Sequence, residues 1–559
     1  LVELFFDQYQ KQDKDKIFLS SLKDDKKNFS WNDVRSIVLQ LANEISKIIK
    51  KGDRCLLISE NRPEWMISDL SVMLAGGITV PAYTTYVSRD YEYIINDCSP
   101  SIIIVSNDEQ FNKVKNICER TSSIKKIFSF EKLTGIDLNS YFNVENLFDN
   151  KNKIQEIKLE INAKRSDPAC IIYTSGTQGN PKGVILSHGG ILSNCEGGYE
   201  LLKPILEKET RFLTWLPLSH SYEHAVQFIQ IAVGGKVYYA ESIDKLIKNM
   251  SECSPHIMTA VPRFYQNLYN KINMNLKKQT GFKAKLIEAT LRLGRKKLLN
   301  QKMTFSEKLL NFIVDKLVRK KIKKQFGGNL KAFVSGGGAL DKEIGEFLNS
   351  LGLPTLQGYG LTETSPVVSC NPLHKVKVET VGPIFPGVEV KLAEDGEILV
   401  RGENLMLGYW NNSEATNKTI INGWLHTGDI GEFDGEGYLK ITDRKKDIIV
   451  SLGGDNIAPS KLENLLTLSS DIEQACVFGE QKNYIAALII LSADSKASKE
   501  QIDLYIEKMN ADLTQPEKIK RYHIIDEPFS IENNLMTPTM KVRRHEVEKK
   551  YSEVINGMF

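Results

Sequence analysis

A strand-like run at 169–174 empties directly into a loop where residues 173–184 read YTSGTQGNPKGV. No other stretch constrains the fold as much. Gly176, Gly179 and Gly183 allow backbone N–H groups to approach a phosphate closely. Thr174, Ser175 and Thr177 offer hydroxyls to phosphate oxygens or to a cation, and Lys182 adds positive charge. The loop is not a P-loop of the G-x-x-x-x-G-K-[ST] kind, because Pro181 follows the four-residue gap after Gly176. A phosphate cradle at the end of a buried strand is the expectation.

The flanking sequence alternates helical and strand periodicity. Residues 31–49 have helical spacing with Ser30 as N-cap, 54–59 form a short apolar strand, and 65–74 turn helical again before Gly76-Gly77. Strands are expected at 78–82, 101–106, 211–215 and 236–240. A further strand at 330–335 runs into Gly336, Gly337 and Gly338, with a helix at 341–351. This alternation predicts an α/β fold built on doubly wound sheets. Between 382 and 441 the text changes to short strands (388–392, 397–401, 432–433, 438–442), which predicts a small β-rich subdomain. A mixed unit follows. A chain of 559 residues is too long for one compact domain. The expected division is 1–443 and a smaller, mobile α+β unit at 444–559.

Net charge is only +3, yet residues 271–330 carry 17 Lys/Arg against Glu288, Glu307 and Asp315, so that segment is +14 and the rest is −11. Leu309, Ile313 and Leu317 fall on one helical face, with Lys316, Arg319, Lys320, Lys321, Lys323 and Lys324 crowded nearby. A solvated helix pair and a surface that meets anionic lipid both fit. Nucleic acid fits poorly, because few aromatics are present to stack on bases. Eight scattered cysteines without C-x-x-C imply reduced thiols in a cytosolic-type compartment. No apolar run reaches the roughly 18 residues that span a bilayer. The chain starts at Leu1 rather than Met, which leaves a removed leader open.

Five stretches in order resemble the adenylate-forming superfamily of acyl-CoA synthetases, peptide-synthetase adenylation domains and luciferases. They are the loop above, QGYGLTET at 357–364, GWLHTGDI at 423–430, GYLKITDRKKDIIV running into SLGGDNIAPSKLE at 437–463, and LMTPTMKVRR at 535–544. The resemblance implies ATP, Mg²⁺ and CoA as ligands. Carboxylate attack on the α-phosphorus brings two anions together, so cations and donors must neutralise charge. By resemblance Glu363 and Thr177 take Mg²⁺, while Gln357, Gly358, Tyr359 and Thr362 meet adenine and α-phosphate beside Gly337 and Gly338. Asp429 takes the ribose, Arg444 the ribose or a phosphate, Lys446 is the inter-domain hinge, and Lys541 reaches the reacting junction. Gly453 and Gly454 would line the pantetheine path after the C-terminal unit rotates. No carrier domain follows Lys541, so free CoA is the expected acceptor, with a separate acyl carrier protein as the alternative.

WLPLSHSYEH at 215–224 resembles the segment that shapes the acyl tunnel in long-chain fatty acyl-CoA synthetases. His220 is expected at the carboxyl end, with Tyr222 or His224 at a gate. A fatty acid is therefore the expected substrate, with peripheral membrane contact through 271–330. Acyl carrier protein ligation, an acyl-AMP ligase, and a non-catalytic nucleotide- or membrane-binding protein are the competing readings. Three positions depart from the pattern: Gln178 replaces a small hydroxyl residue, Gly338-Ala339-Leu340 lacks a proline, and Asp455 stands where glutamate is frequent.

Overall fold

The computed structural model describes all residues except 24–26, 135–140, 146–147, 149–159, 175–180, 494 and 538–540. Two eight-stranded mixed sheets form the larger part. In the first, Thr355–Gly360, Ala332–Ser335, Ile257–Ala260, Arg211–Thr214, Lys236–Tyr239 and Ile17–Ser21 run parallel, with an antiparallel strand at each edge. In the second, Pro168–Thr174 neighbours Ile78–Ala82 in parallel and turns back through Lys182–Ser187.

Helix Trp31–Ser46 starts where its sequence demands, because Ser30 and Asp33 form a reciprocal capping box. It packs on helix Pro63–Leu74, all 12 residues of which are buried. A helix buried on every face has protein on every side. It contributes to one apolar core together with Trp31 and Phe228 from helices, Phe128 and Cys170 from the second sheet and Val237 from the first.

The β-rich subdomain is a five-stranded sheet of Val388–Leu392, Glu397–Gly402, Trp424–Phe433, Ile420–Ile421 and Leu439–Arg444. The expected short strand at 432–433 is the end of a ten-residue strand. Arg444 closes the last strand of this sheet, and the chain turns at 445–447 into the C-terminal unit. There, strands Ile472–Phe478, Ile485–Leu491 and Ile519–Ile524 form a three-stranded sheet with its own core. Among the described residues no helix is long and apolar enough to cross a membrane. All eight cysteines are free.

The basic segment is helical, as its periodicity predicts. One residue departs from the expected basic surface. Arg319 is buried, donating to the carbonyls of Ser350 and Thr290 and to Asn311 and Asp315. It braces the helices from inside, because a buried guanidinium needs acceptors for its fork of donors.

Candidate active site

Parallel strands deliver their loops to one side of a sheet, and ligands gather at those carboxyl ends. After Arg211–Thr214 the chain reaches His220. After Ala332–Ser335 come Gly336–Gly338, and after Thr355–Gly360 come Thr362 and Glu363. All of these line one cavity of about 1090 Å³. Gly336 must be glycine, since a Cβ there would meet the Tyr222 ring at 2.9 Å, while Gly337 sits at φ +80°.

Asp429 and Arg444 lie directly opposite each other on antiparallel strands. Their side chains approach to 3.4 Å, and Tyr359 donates its hydroxyl to Asp429 at 2.7 Å. Burial raises the Asp429 carboxyl above its usual range, opposed by Arg444 and the Tyr359 hydrogen bond. Glu363 follows in a short 3₁₀ turn, and its carboxylate accepts the Tyr409 hydroxyl at 2.8 Å. Thr362 meets Ser221 hydroxyl to hydroxyl at 3.0 Å. Gln357 shapes the wall: its amide accepts from the Leu340 N–H and donates to the carbonyls of Val378 and Thr380.

Lys541, with Thr537 and Val542, brings the C-terminal unit into the same cavity. Thr537 and Lys541 close their loop on each other, N–H to carbonyl at 2.8 Å and N–H to hydroxyl at 3.1 Å. Being enclosed by protein lowers the Lys541 ammonium from its ordinary value, as does Arg444, while Asp429, Asp447 and Glu363 pull it back. His220 caps helix Ser221–Ala232 through its Nδ1 and is pushed down to about 4 by its enclosure and by Lys541, so it is neutral at physiological pH.

The cavity has an apolar arm. Gly198, Leu201 and Leu202 of helix His188–Leu202 face it, with Val226 and Ile229 of helix Ser221–Ala232 and Phe212 and Ile257 from the sheet. Close helix packing there depends on Gly198.

Thr174, Lys182, Gly358 and Lys446 also line the cavity. Ser175, Gly176, Thr177 and Gly179, with Gln178, lie outside the described residues. Gly453 and Gly454 sit in the turn between Ile449–Val450 and Asn456–Ile457, away from the cavity wall. Of the two gate candidates, Tyr222 lines the cavity, its hydroxyl donating to the Val334 carbonyl at 3.0 Å. His224 does not. It is buried against Asp69 at 2.8 Å and Cys170 at 3.7 Å, with Trp65 and Phe228 edge-on to its ring. A buried Asp69 draws in a cationic partner, and that pairing raises His224 to about 10 against its own burial. Sequence reasoning missed Tyr409, whose only local signal is two aromatics after Gly408.

Residues 5–410 match the model of the AMP-binding enzyme family, and residues 446–559 match the AMP-binding enzyme C-terminal domain. The chain belongs to the AMP-binding enzyme family. Among curated relatives, the long-chain-fatty-acid–CoA ligase FadD15 of Mycobacterium tuberculosis is 30% identical over 562 residues, covering 94% of this chain and 91% of that protein. Long chain acyl-CoA synthetase 3 of Arabidopsis thaliana is 30% identical, covering 95% of this chain and 86% of that one. Among solved folds, ATP-bound MatB from Rhodopseudomonas palustris superposes with a TM-score of 0.75 at 20% identity, covering 99% of both chains. The AMP-binding fold thus extends across the whole chain, C-terminal unit included.

Proposed function

We propose that the protein activates a long-chain fatty acid in two steps. The fatty carboxylate attacks the α-phosphorus of ATP, forming acyl-AMP as the bond to pyrophosphate breaks. The thiol of CoA then attacks the acyl carbonyl, and AMP leaves as the thioester forms. The observation that carries this reading is one cavity holding Glu363, Asp429, Arg444 and Lys541 at its polar end and an apolar arm at the other. The curated relatives support the fatty-acid and CoA assignments.

Asp429, steadied by Arg444 and Tyr359, accepts the ribose hydroxyls. Lys182 and the hydroxyls of the glycine-rich loop hold the phosphates. Lys541 places a point charge where negative charge builds up. Neutral His220 orients the carboxyl group without repelling Lys541. Magnesium fits the site: Glu363 lines the cavity, and a cation shared with a triphosphate needs only one or two carboxylates. Glu363 and Thr177 would hold it, and it would neutralise phosphate charge. Rotation of the C-terminal unit about Lys446 would withdraw Lys541 and carry Gly453 and Gly454 toward the thioester step. A carrier-protein acceptor is the second reading.

The decisive assay is exchange of labelled pyrophosphate into ATP, driven by a long-chain fatty acid before any acceptor is added. A folded protein showing no exchange with any carboxylic acid refutes the activity. Competition between CoA and acyl carrier protein then separates the acceptors.

We also infer peripheral membrane contact through 271–330. Phe305 is 87% exposed, and Leu309, Phe312 and Leu317 are each more than half exposed. Lys308, Lys316, Lys320, Lys321 and Lys324 stand exposed around them. An anionic bilayer accommodates both features. Two copies meeting through this face would set +14 against +14. Flotation with anionic vesicles should fall when Lys320, Lys321, Lys323 and Lys324 are neutralised, and unaltered flotation would count against the contact.

A further inference from the structure

We propose that Tyr409 is a positioning residue for the nucleotide end of the cavity, orienting Glu363 and fixing its place relative to Lys182. The proposal rests on the reading of Glu363 as the carboxylate that meets the triphosphate and its cation.

Residues 406–410 touch both sides of that end. Toward Glu363, the Met406 N–H donates to its carbonyl at 2.9 Å and the Tyr409 hydroxyl donates to its carboxylate at 2.8 Å. Toward the loop, Gly408 and Tyr409 pair antiparallel with Ile185 and Val184 on the strand leaving it. The Leu407 N–H donates to the Ile185 carbonyl at 2.9 Å, and the Trp410 N–H to the Gly183 carbonyl at 2.7 Å. Gly183 cannot carry a side chain, because a Cβ would meet Ile171 at 2.8 Å, the Tyr173 ring at 3.1 Å and Trp410 at 3.2 Å. The segment is therefore locked to the base of the phosphate loop.

Tyr409 itself faces two ways. The Lys182 ammonium lies 5.0 Å from its ring centroid, within cation–π range, while its hydroxyl holds Glu363. One phenol thus sets the spacing between the cation at the loop and the carboxylate across from it. A phenol keeps its proton at neutral pH, so Tyr409 is a donor to Glu363 there. The ring is buried, and its backbone N–H is held by Thr416 at 2.9 Å. Such a carboxylate is pre-oriented before nucleotide arrives, which spares the cost of ordering it on binding.

The test is calorimetric ATP binding, with and without magnesium, for Tyr409→Phe, Glu363→Gln and the double variant. The phenylalanine keeps the ring, the strand pairing and the Lys182 contact. Losing one hydrogen bond to a charged group should weaken binding with magnesium by about tenfold or more, with magnesium-free binding changed by less than about twofold. The melting temperature should fall by no more than about 4 °C, and Tyr409→Phe should add nothing to the binding loss in the Glu363→Gln background. Wild-type affinity in Tyr409→Phe overturns the proposal, as does a loss that persists undiminished beside Glu363→Gln. A lowered melting temperature with equal loss in both nucleotide forms also overturns it, leaving Tyr409 structural only. Unchanged binding in Glu363→Gln alone instead overturns the role of Glu363, so the two failures are distinguishable.

Discussion

Substituting Gly198 tests whether the apolar arm measures acyl chain length. A Cβ at this position would stand 2.6 Å from Ile229 Cδ1 and 3.0 Å from Cγ1. The helix itself should tolerate Gly198→Ala, since alanine is favoured over glycine in a helix interior by about 1 kcal/mol. What must yield is the free end of Ile229, which lines the arm together with Val226 and Phe212. Displacing it into the arm should exclude one or two chain carbons. Each buried methylene is worth about 0.8 kcal/mol, or roughly a fourfold change in kcat/KM. The longest accepted acids should therefore lose about 4- to 15-fold relative to shorter ones. Pyrophosphate release across a saturated series from octanoate to stearate gives the profile. An equal loss at every length, or a gain for the longest chains, would refute the assignment of this arm to the acyl chain.

Lys541→Ala should slow adenylation by about 10²- to 10³-fold, the usual cost of a preorganised transition-state charge, while thioester formation from preformed acyl-AMP persists. Equal loss in both steps would contradict its role. Asp429→Asn should weaken ATP binding by about 10- to 100-fold through its lost charged hydrogen bonds, as read by calorimetry. Lys446→Pro should spare pyrophosphate exchange and block CoA transfer, and a variant with both steps intact would remove the hinge from 446. Asp69→Asn should cost about 3–5 kcal/mol, seen in the denaturant midpoint, by stranding buried His224. Because His224 is raised to about 10, its contribution is complete below its unfolded value near 6.5 and is lost as pH rises through about 10. His220, lowered to about 4, acts in the opposite sense: stability falls between about pH 6.5 and 4 as the unfolded chain takes up its proton, and His220→Asn should flatten that limb.

Much of the local structure was legible in the sequence. The Ser30 cap, the strand ending at Thr174 and the triple glycine after Ser335 depend on near neighbours, and their energies are written within a few residues. The polar end of the cavity was legible through motifs, since Asp429 and Arg444 need only a hairpin to face each other. Tertiary structure decided the remainder. Nothing local tells Ile17–Ser21 to pair with Lys236–Tyr239, a contact across more than two hundred residues. Arg319 and His224 look like surface or site residues until the packing of distant elements buries them, Arg319 on the carbonyls of Ser350 and Thr290 and His224 beside Asp69. Tyr409 lies nearly fifty residues beyond Glu363 and more than two hundred beyond Lys182, and only the strand pairing at Val184 places it between them. Periodicity and capping are short-range energies that a sequence displays directly. Strand partners, the burial of charge and the assembly of a cavity between two units are long-range choices, settled by which surfaces pack together.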